Sequence, residues 1–97
     1  MLKMIKEAAA MKSRLSEMEK TLKAKVIEVE ANGVKLKING KSEMLEIKLS
    51  PELLKKDASY VEKHILSAVQ EGIKKSQESM EQEARKITGG PKIPGLM

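Results

Sequence analysis

Val29-Glu30-Ala31-Asn32-Gly33-Val34-Lys35-Leu36-Lys37-Ile38-Asn39-Gly40-Lys41-Ser42 is the stretch on which the fold turns. Asn-Gly between alternating apolar and charged residues signals a two-residue hairpin, because both central positions of that turn need positive φ. Pairing about Asn32-Gly33 sets Ala31 opposite Val34, Val29 opposite Leu36 and Ile27 opposite Ile38 on one face. The other face then pairs Glu30 with Lys35 and Glu28 with Lys37, opposite charges across the ladder. Asn39-Gly40-Lys41-Ser42 supplies a second turn. Carried forward, the same faces place Ile38 against Leu45, Leu36 against Ile47 and Val34 against Leu49, with Lys37 meeting Glu46. Turn chemistry, register and charge agree on a three-stranded antiparallel meander over about 25–31, 34–39 and 44–49. The wet face mixes both signs, so its lysines read as solvated ladder partners.

Helical sequence lies on both sides of this block. Over residues 2–23, Met1, Met4, Ala8, Met11, Leu15, Met18 and Leu22 alternate spacings of three and four, an apolar seam that needs a partner surface. Ser50-Pro51-Glu52 is a cap followed by proline and opens a short helical turn over 51–56, with Leu53 and Leu54 closing the end of the sheet. A second long helix is expected over about 60–87, with Ser59-Tyr60-Val61-Glu62 as a capping box and Asp57 in the preceding turn. Val61, Ile65, Ala68, Val69, Gly72 and Ile73 form its buried face. From Lys74 to Glu83 only Met80 is bulky and apolar, so that half is expected to project from the body. Gly89-Gly90 stops the helix, and the tail over 88–97 contains Pro91 and Pro94. The result is one α+β domain of 97 residues in the order α-β-β-β-α, with two long flanking helices.

Composition narrows the function. The chain has no cysteine, which removes disulfides, thiolate nucleophiles and Cys-ligated zinc. His64 is the sole histidine and sits in no metal-ligand or catalytic pattern, so no enzyme, metal or cofactor is expected. Asn39-Gly40-Lys41-Ser42 looks like the end of a phosphate loop, but it lacks the preceding glycine and joins strand to strand instead of strand to helix. No apolar run reaches a membrane-spanning length and no signal peptide is visible, which points to the cytoplasm.

The net charge is +5. Its distribution places the excess at the two ends. Lys3, Lys6, Lys12 and Arg14 stand against Glu7 on the first helix, and Lys74, Lys75, Arg85, Lys86 and Lys92 occupy the far half of the second helix and the tail. Tyr60 is the single aromatic residue, so stacking platforms for single strands are absent. Two arginines among nineteen basic residues argue against guanine readout through bidentate pairs. The nine basic positions are therefore expected to hold double-stranded DNA by its phosphates. An alternative function is a non-enzymatic adaptor that docks a protein partner through Ile93-Pro94-Gly95-Leu96-Met97.

Three ordered segments resemble the YbaB/EbfC family of bacterial nucleoid-associated proteins. They are Val34 to Lys41, then Ile47-Lys48-Leu49-Ser50-Pro51-Glu52-Leu53-Leu54, then Val61 to Val69. The tail motifs Gly89-Gly90 and Ile93-Pro94-Gly95-Leu96 resemble that family too. The resemblance implies a small DNA-binding protein of the nucleoid with no catalysis or cofactor, built as a tweezer-like homodimer whose helical arms and tail contact DNA. The chain departs from the family pattern at Glu30-Ala31-Asn32-Gly33, where many members have a glycine-rich stretch, and at Gln70-Glu71-Gly72, where many read Asn-Asp-Ala. Small size and two free sheet edges also favour a dimer. Its interface is expected along Met4, Ala8, Met11, Leu15, Met18 and Leu22.

Overall fold

Asn32 and Gly33 both take positive φ, 52° and 83°, and close the expected hairpin in a computed structural model of the chain. The structure describes the backbone of residues 2–87 and the side chains of residues 8–86. Element order is α1 (Leu2–Ala24), β1 (Val26–Ala31), β2 (Val34–Asn39), β3 (Met44–Leu49), α2 (Pro51–Leu54) and α3 (Ala58–Ile87). The three strands form one antiparallel sheet in sequential order. The α-β-β-β-α arrangement read from the sequence is the one observed.

Register follows the side-chain pattern through β1 and β2, with Ala31 paired to Val34, Val29 to Leu36 and Ile27 to Ile38. Between β2 and β3 the pairs Val34–Leu49, Leu36–Ile47 and Lys37–Glu46 form as expected. Ile38 then meets Met44 and not Leu45, because the ladder shifts between Lys37 and Ile38. Such a bulge leaves one residue of the longer strand unpaired and turns it from the regular face. Leu45 is accordingly exposed.

The core comprises Val29, Val34, Leu36, Ile38, Leu53 and Ala68, with Ile27, Leu49, Val61, Ile65 and Val69 packed around it. It lies between the sheet and the first half of α3, which crosses β1 and β2 and leaves β3 to one side. Three inward assignments change: Ile47 is 47% exposed, Leu54 at the end of α2 is exposed, and Ile73 sits at the rim. Gly72 explains how α3 comes so close. A Cβ there would lie 3.1 Å from Leu36 Cδ1 and 3.5 Å from Ile38 Cγ2. The close approach is to the protomer's own sheet.

Helix starts follow their caps. Ser50 Oγ accepts from Leu53 N at 3.1 Å, opening α2 with Pro51 in the first turn. The cap of α3 is Asp57, whose Oδ1 accepts from Tyr60 N at 3.0 Å, so the helix begins at Ala58 and the Ser59 capping box does not form. A carboxylate at that position satisfies an orphan N–H and opposes the positive end of the helix dipole.

A compact chain of this length has a radius of gyration of about 12–13 Å. This one measures 18.8 Å, with extents of 65 × 29 × 16 Å. The length comes from α1 and the far half of α3, which lie side by side beyond the sheet.

Candidate nucleic-acid interface

The far half of α3 is polar in sequence, yet it buries two residues. Ser76 is fully buried and Ser79 is 3% exposed. Both are small and follow Gly72 along α3; Gly72 meets the sheet, and Ser76 meets the β2–β3 turn. On α1 the matching residue is Leu22, 2% exposed, while Met18 is half-buried. Leu22 is thus buried inside the protomer, against Gly40 of the turn, where a glycine Cβ would stand only 2.8 Å from Leu22 Cδ2. Ala8, Met11 and Leu15 remain exposed along the outer seam. Sequence reasoning missed the buried serines because nothing in their polarity marks them. Their spacing, four from Gly72 to Ser76 and three more to Ser79, was the available signal.

This packing builds one arm from two distant parts of the chain. A groove of about 300 Å³ runs between the helices, lined by Ser13, Arg14, Glu17, Met18 and Thr21 of α1 and by Glu83 and Lys86 of α3. Arg14 and Lys86 therefore share one surface. Lys12 on α1 and Lys74, Lys75 and Arg85 on α3 are exposed. The side chains of Lys3, Lys6 and Met4, together with Lys92 and the whole tail including its proposed docking segment, lie outside the described residues.

Charge pairing within the arm is uneven. Glu17 lies 4.0 Å from Lys20, Glu19 lies 3.5 Å from Lys41, and Glu83 lies 3.2 Å from Lys86. Among the described residues, no carboxylate comes within ion-pair distance of Lys12, Arg14, Lys74 or Lys75. The sheet's wet face behaves differently. There Lys35 meets Glu28 at 3.6 Å, and Glu46 holds both Lys37 and Lys48 at 3.8 Å. That face is internally neutralised, while Lys12, Arg14, Lys74 and Lys75 of the arm are exposed and outside any described ion pair.

Other candidates resolve into structure. Tyr60 packs on His64 with ring centroids 4.3 Å apart and carries Lys56 Nζ 5.7 Å above its ring, a small aromatic-cation cluster at the start of α3. The Asn39-Gly40-Lys41-Ser42 turn offers no phosphate cradle, because its N–H groups are engaged internally. Gly40 N donates to Leu22 O and Lys25 O, Ser42 N to Asn39 O, and both Lys41 N and Glu43 N to Asn39 Oδ1. Among the described residues no group of acidic, histidine or cysteine side chains could hold a metal, and no helix is long and apolar enough to cross a membrane.

Comparison with known proteins places this architecture. The profile of the YbaB/EbfC DNA-binding family matches residues 1–91. A nucleoid-associated protein of Thermoanaerobacter pseudethanolicus is 36% identical over 96 residues, covering 96% of this chain and 86% of that protein. One from Pelotomaculum thermopropionicum is also 36% identical, over 99 residues, covering 99% of this chain and 94% of its own. Among solved structures, an uncharacterized protein of Helicobacter pylori superposes with a TM-score of 0.82 at 22% identity, covering 89% of this chain and 94% of that one. At that identity the likeness speaks for the fold alone.

Proposed function

The chain belongs to the YbaB/EbfC DNA-binding family, and from that premise we propose that it binds double-stranded DNA as a homodimer, chiefly through phosphates, using the arms of both protomers. The observation that carries this reading is the arm itself. Two helices project from the body with Lys12, Arg14, Lys74 and Lys75 exposed and outside any described ion pair. Lysine ammonium groups act as point charges toward phosphate, and the rarity of arginine disfavours base reading. The relatives above are called nucleoid-associated proteins, which supports the nucleoid as the place of action.

Dimerisation is supported by what α3 leaves uncovered. Leu45 and Ile47 of β3 and Leu66 and Ile73 of α3 are exposed apolar side chains, and β3 is a free edge. A second copy covers such surface and edge together. Met11 and Leu15 of the α1 seam extend the apolar surface into the arm. Replacing Ile47 or Leu66 by Asp leaves the buried core untouched and should shift sedimentation equilibrium toward monomer. A variant that stays dimeric at micromolar concentration would exclude this interface.

The direct test is duplex affinity by fluorescence anisotropy across a salt series. The expected result is a linear fall of log K with log salt, with unrelated duplexes of equal length bound within a few-fold of each other. Affinity independent of salt would reject phosphate contact, and a strong sequence preference persisting at high salt would reject its dominance.

A further inference from the structure

The Asn39-Gly40-Lys41-Ser42 turn does more than reverse the chain. Gly40 N donates to Leu22 O at 2.8 Å, so the turn caps the C-terminal end of α1. There is no room for a side chain at this contact, since a Cβ on Gly40 would meet Leu22 O at 2.9 Å. Lys41 Nζ reaches Glu19 of the same helix at 3.5 Å. On its other side the turn grips α3. Ser76 Oγ, fully buried, donates to Asn39 O at 2.9 Å, and Ser42 Oγ lies 2.8 Å from Ser76 Oγ. Ser76 gives its one hydroxyl proton to Asn39, so Ser42 is the donor in the second bond.

Asn39 stiffens the turn from within. Its Oδ1 accepts from Lys41 N and Glu43 N, and its Nδ2 donates to Glu43 Oε1 at 2.7 Å. Ser42 adopts φ 63°, a backbone region that non-glycine residues avoid. Keeping serine there retains the hydroxyl that reaches α3.

We infer that this turn is a clasp that sets the angle between the arm and the sheet, with Gly40, Ser42 and Ser76 as positioning residues for DNA binding. Both arm helices are tied to one rigid β-turn by directional bonds. Leu22, buried against Gly40, supplies apolar contact at this junction, and apolar contact is non-directional. Hydrogen bonds are not, and they weaken steeply when bent. The angle matters because two arms acting on one duplex bind as a linked pair only when their geometry lets both engage. This inference rests on the DNA-binding reading above, but its structural half can be measured without DNA.

The chain has no native cysteine, so spin labels at Lys20→Cys on α1 and Lys48→Cys on β3 report the arm-to-sheet distance. Labelled protein diluted with an excess of unlabelled chain isolates distances within one protomer. The native background should give one narrow distance. Ser76→Ala and Ser42→Gly should broaden or shift it with only a modest fall in thermal midpoint, since the lost hydrogen bonds are partly offset where alanine suits a helix and glycine suits positive φ. Ser67→Ala, an exposed serine on the same helix, should change nothing. Affinity for a mixed-sequence duplex should fall about 3- to 10-fold in the two clasp variants as the linked pair loosens. Unchanged distances in both variants would overturn the clasp. Changed distances with unchanged affinity would overturn its role in DNA binding. If the native chain itself binds no duplex, the proposed function fails, and the distances still decide whether the clasp exists.

Discussion

The two halves of α3 are one continuous helix and do opposite things. From Ala58 to Ile73 the helix lies on the sheet and contributes Val61, Ile65, Ala68 and Val69 to an apolar core, with Gly72 admitting Leu36. From Lys74 to Ile87 it runs past the end of the sheet, takes α1 as its neighbour, and buries Ser76 and Ser79 while exposing its cations. The first half holds the protein together by apolar burial. The second half gives up apolar burial and so can carry cations into solvent on a stiff support. On the proposed DNA-binding role of the arm, stability and binding are divided along a single helix, and substitutions in the two halves should separate them.

The largest effect is expected under the first half. Leu36→Ala empties the fully buried centre between Val29, Ile38 and Gly72, and should destabilise the fold by about 2–5 kcal/mol in urea titration. Duplex affinity of the fraction still folded should stay unchanged. A large drop in intrinsic affinity would mean that the two halves are not independent.

Next comes the arm. Lys12, Arg14, Lys74 and Lys75 changed together to Gln should leave the thermal midpoint nearly in place and weaken duplex binding by roughly two orders of magnitude at moderate salt. The slope of log K against log salt should flatten by about 0.9 for each phosphate that the variant no longer neutralises. Weaker binding with an unaltered slope would assign these residues to something other than phosphate.

A smaller effect carries the opposite sign. Among the described residues, the buried Ser79 Oγ has no hydrogen-bond partner. An orphaned hydroxyl costs about 1–3 kcal/mol and serine is a poorer helix former than alanine, so Ser79→Ala should stabilise the chain by about 1 kcal/mol. Destabilisation on chemical denaturation would show that the hydroxyl has a partner in solution, such as a trapped water. The smallest effect belongs to the arm's surface. Lys86 is paired with Glu83 at 3.2 Å, but the lysine side chain is largely exposed. Lys86→Gln should therefore move folding stability by less than about 0.5 kcal/mol.

The pattern of what was legible in the sequence tracks the range of the interactions. The Asn32-Gly33 hairpin and its register could be read directly, because a turn and a period of two constrain neighbours a few residues apart. The Ile38–Met44 pairing could not, since a bulge depends on how a four-residue connection settles against Leu22 and Ser76. Asp57 displaced the Ser59 capping box because both motifs satisfy local rules and only the entry direction of the chain decides between them. The basic residues of the arm were visible as charges. That Arg14 and Lys86 share a groove, and that Glu19 is taken up by Lys41 of the turn, required α1, α3 and the turn to be placed.

By itself, then, the sequence determined the element order, the inner face of the hairpin, the absence of cysteine chemistry and the concentration of positive charge toward the two ends. These follow from composition and from periodicities of two and 3.6, which specify which residues share a face. Tertiary structure alone decided which faces are covered. It left Ile47 and Leu45 open beside a buried Leu36, buried Ser76 and Ser79 in a helix that reads as solvated, and turned Asn39-Gly40-Lys41-Ser42 into the junction of two helices. The reason is one of distance. Whether an apolar residue finds a neighbour, or a serine is small enough to let one approach, depends on where a segment tens of residues away comes to rest.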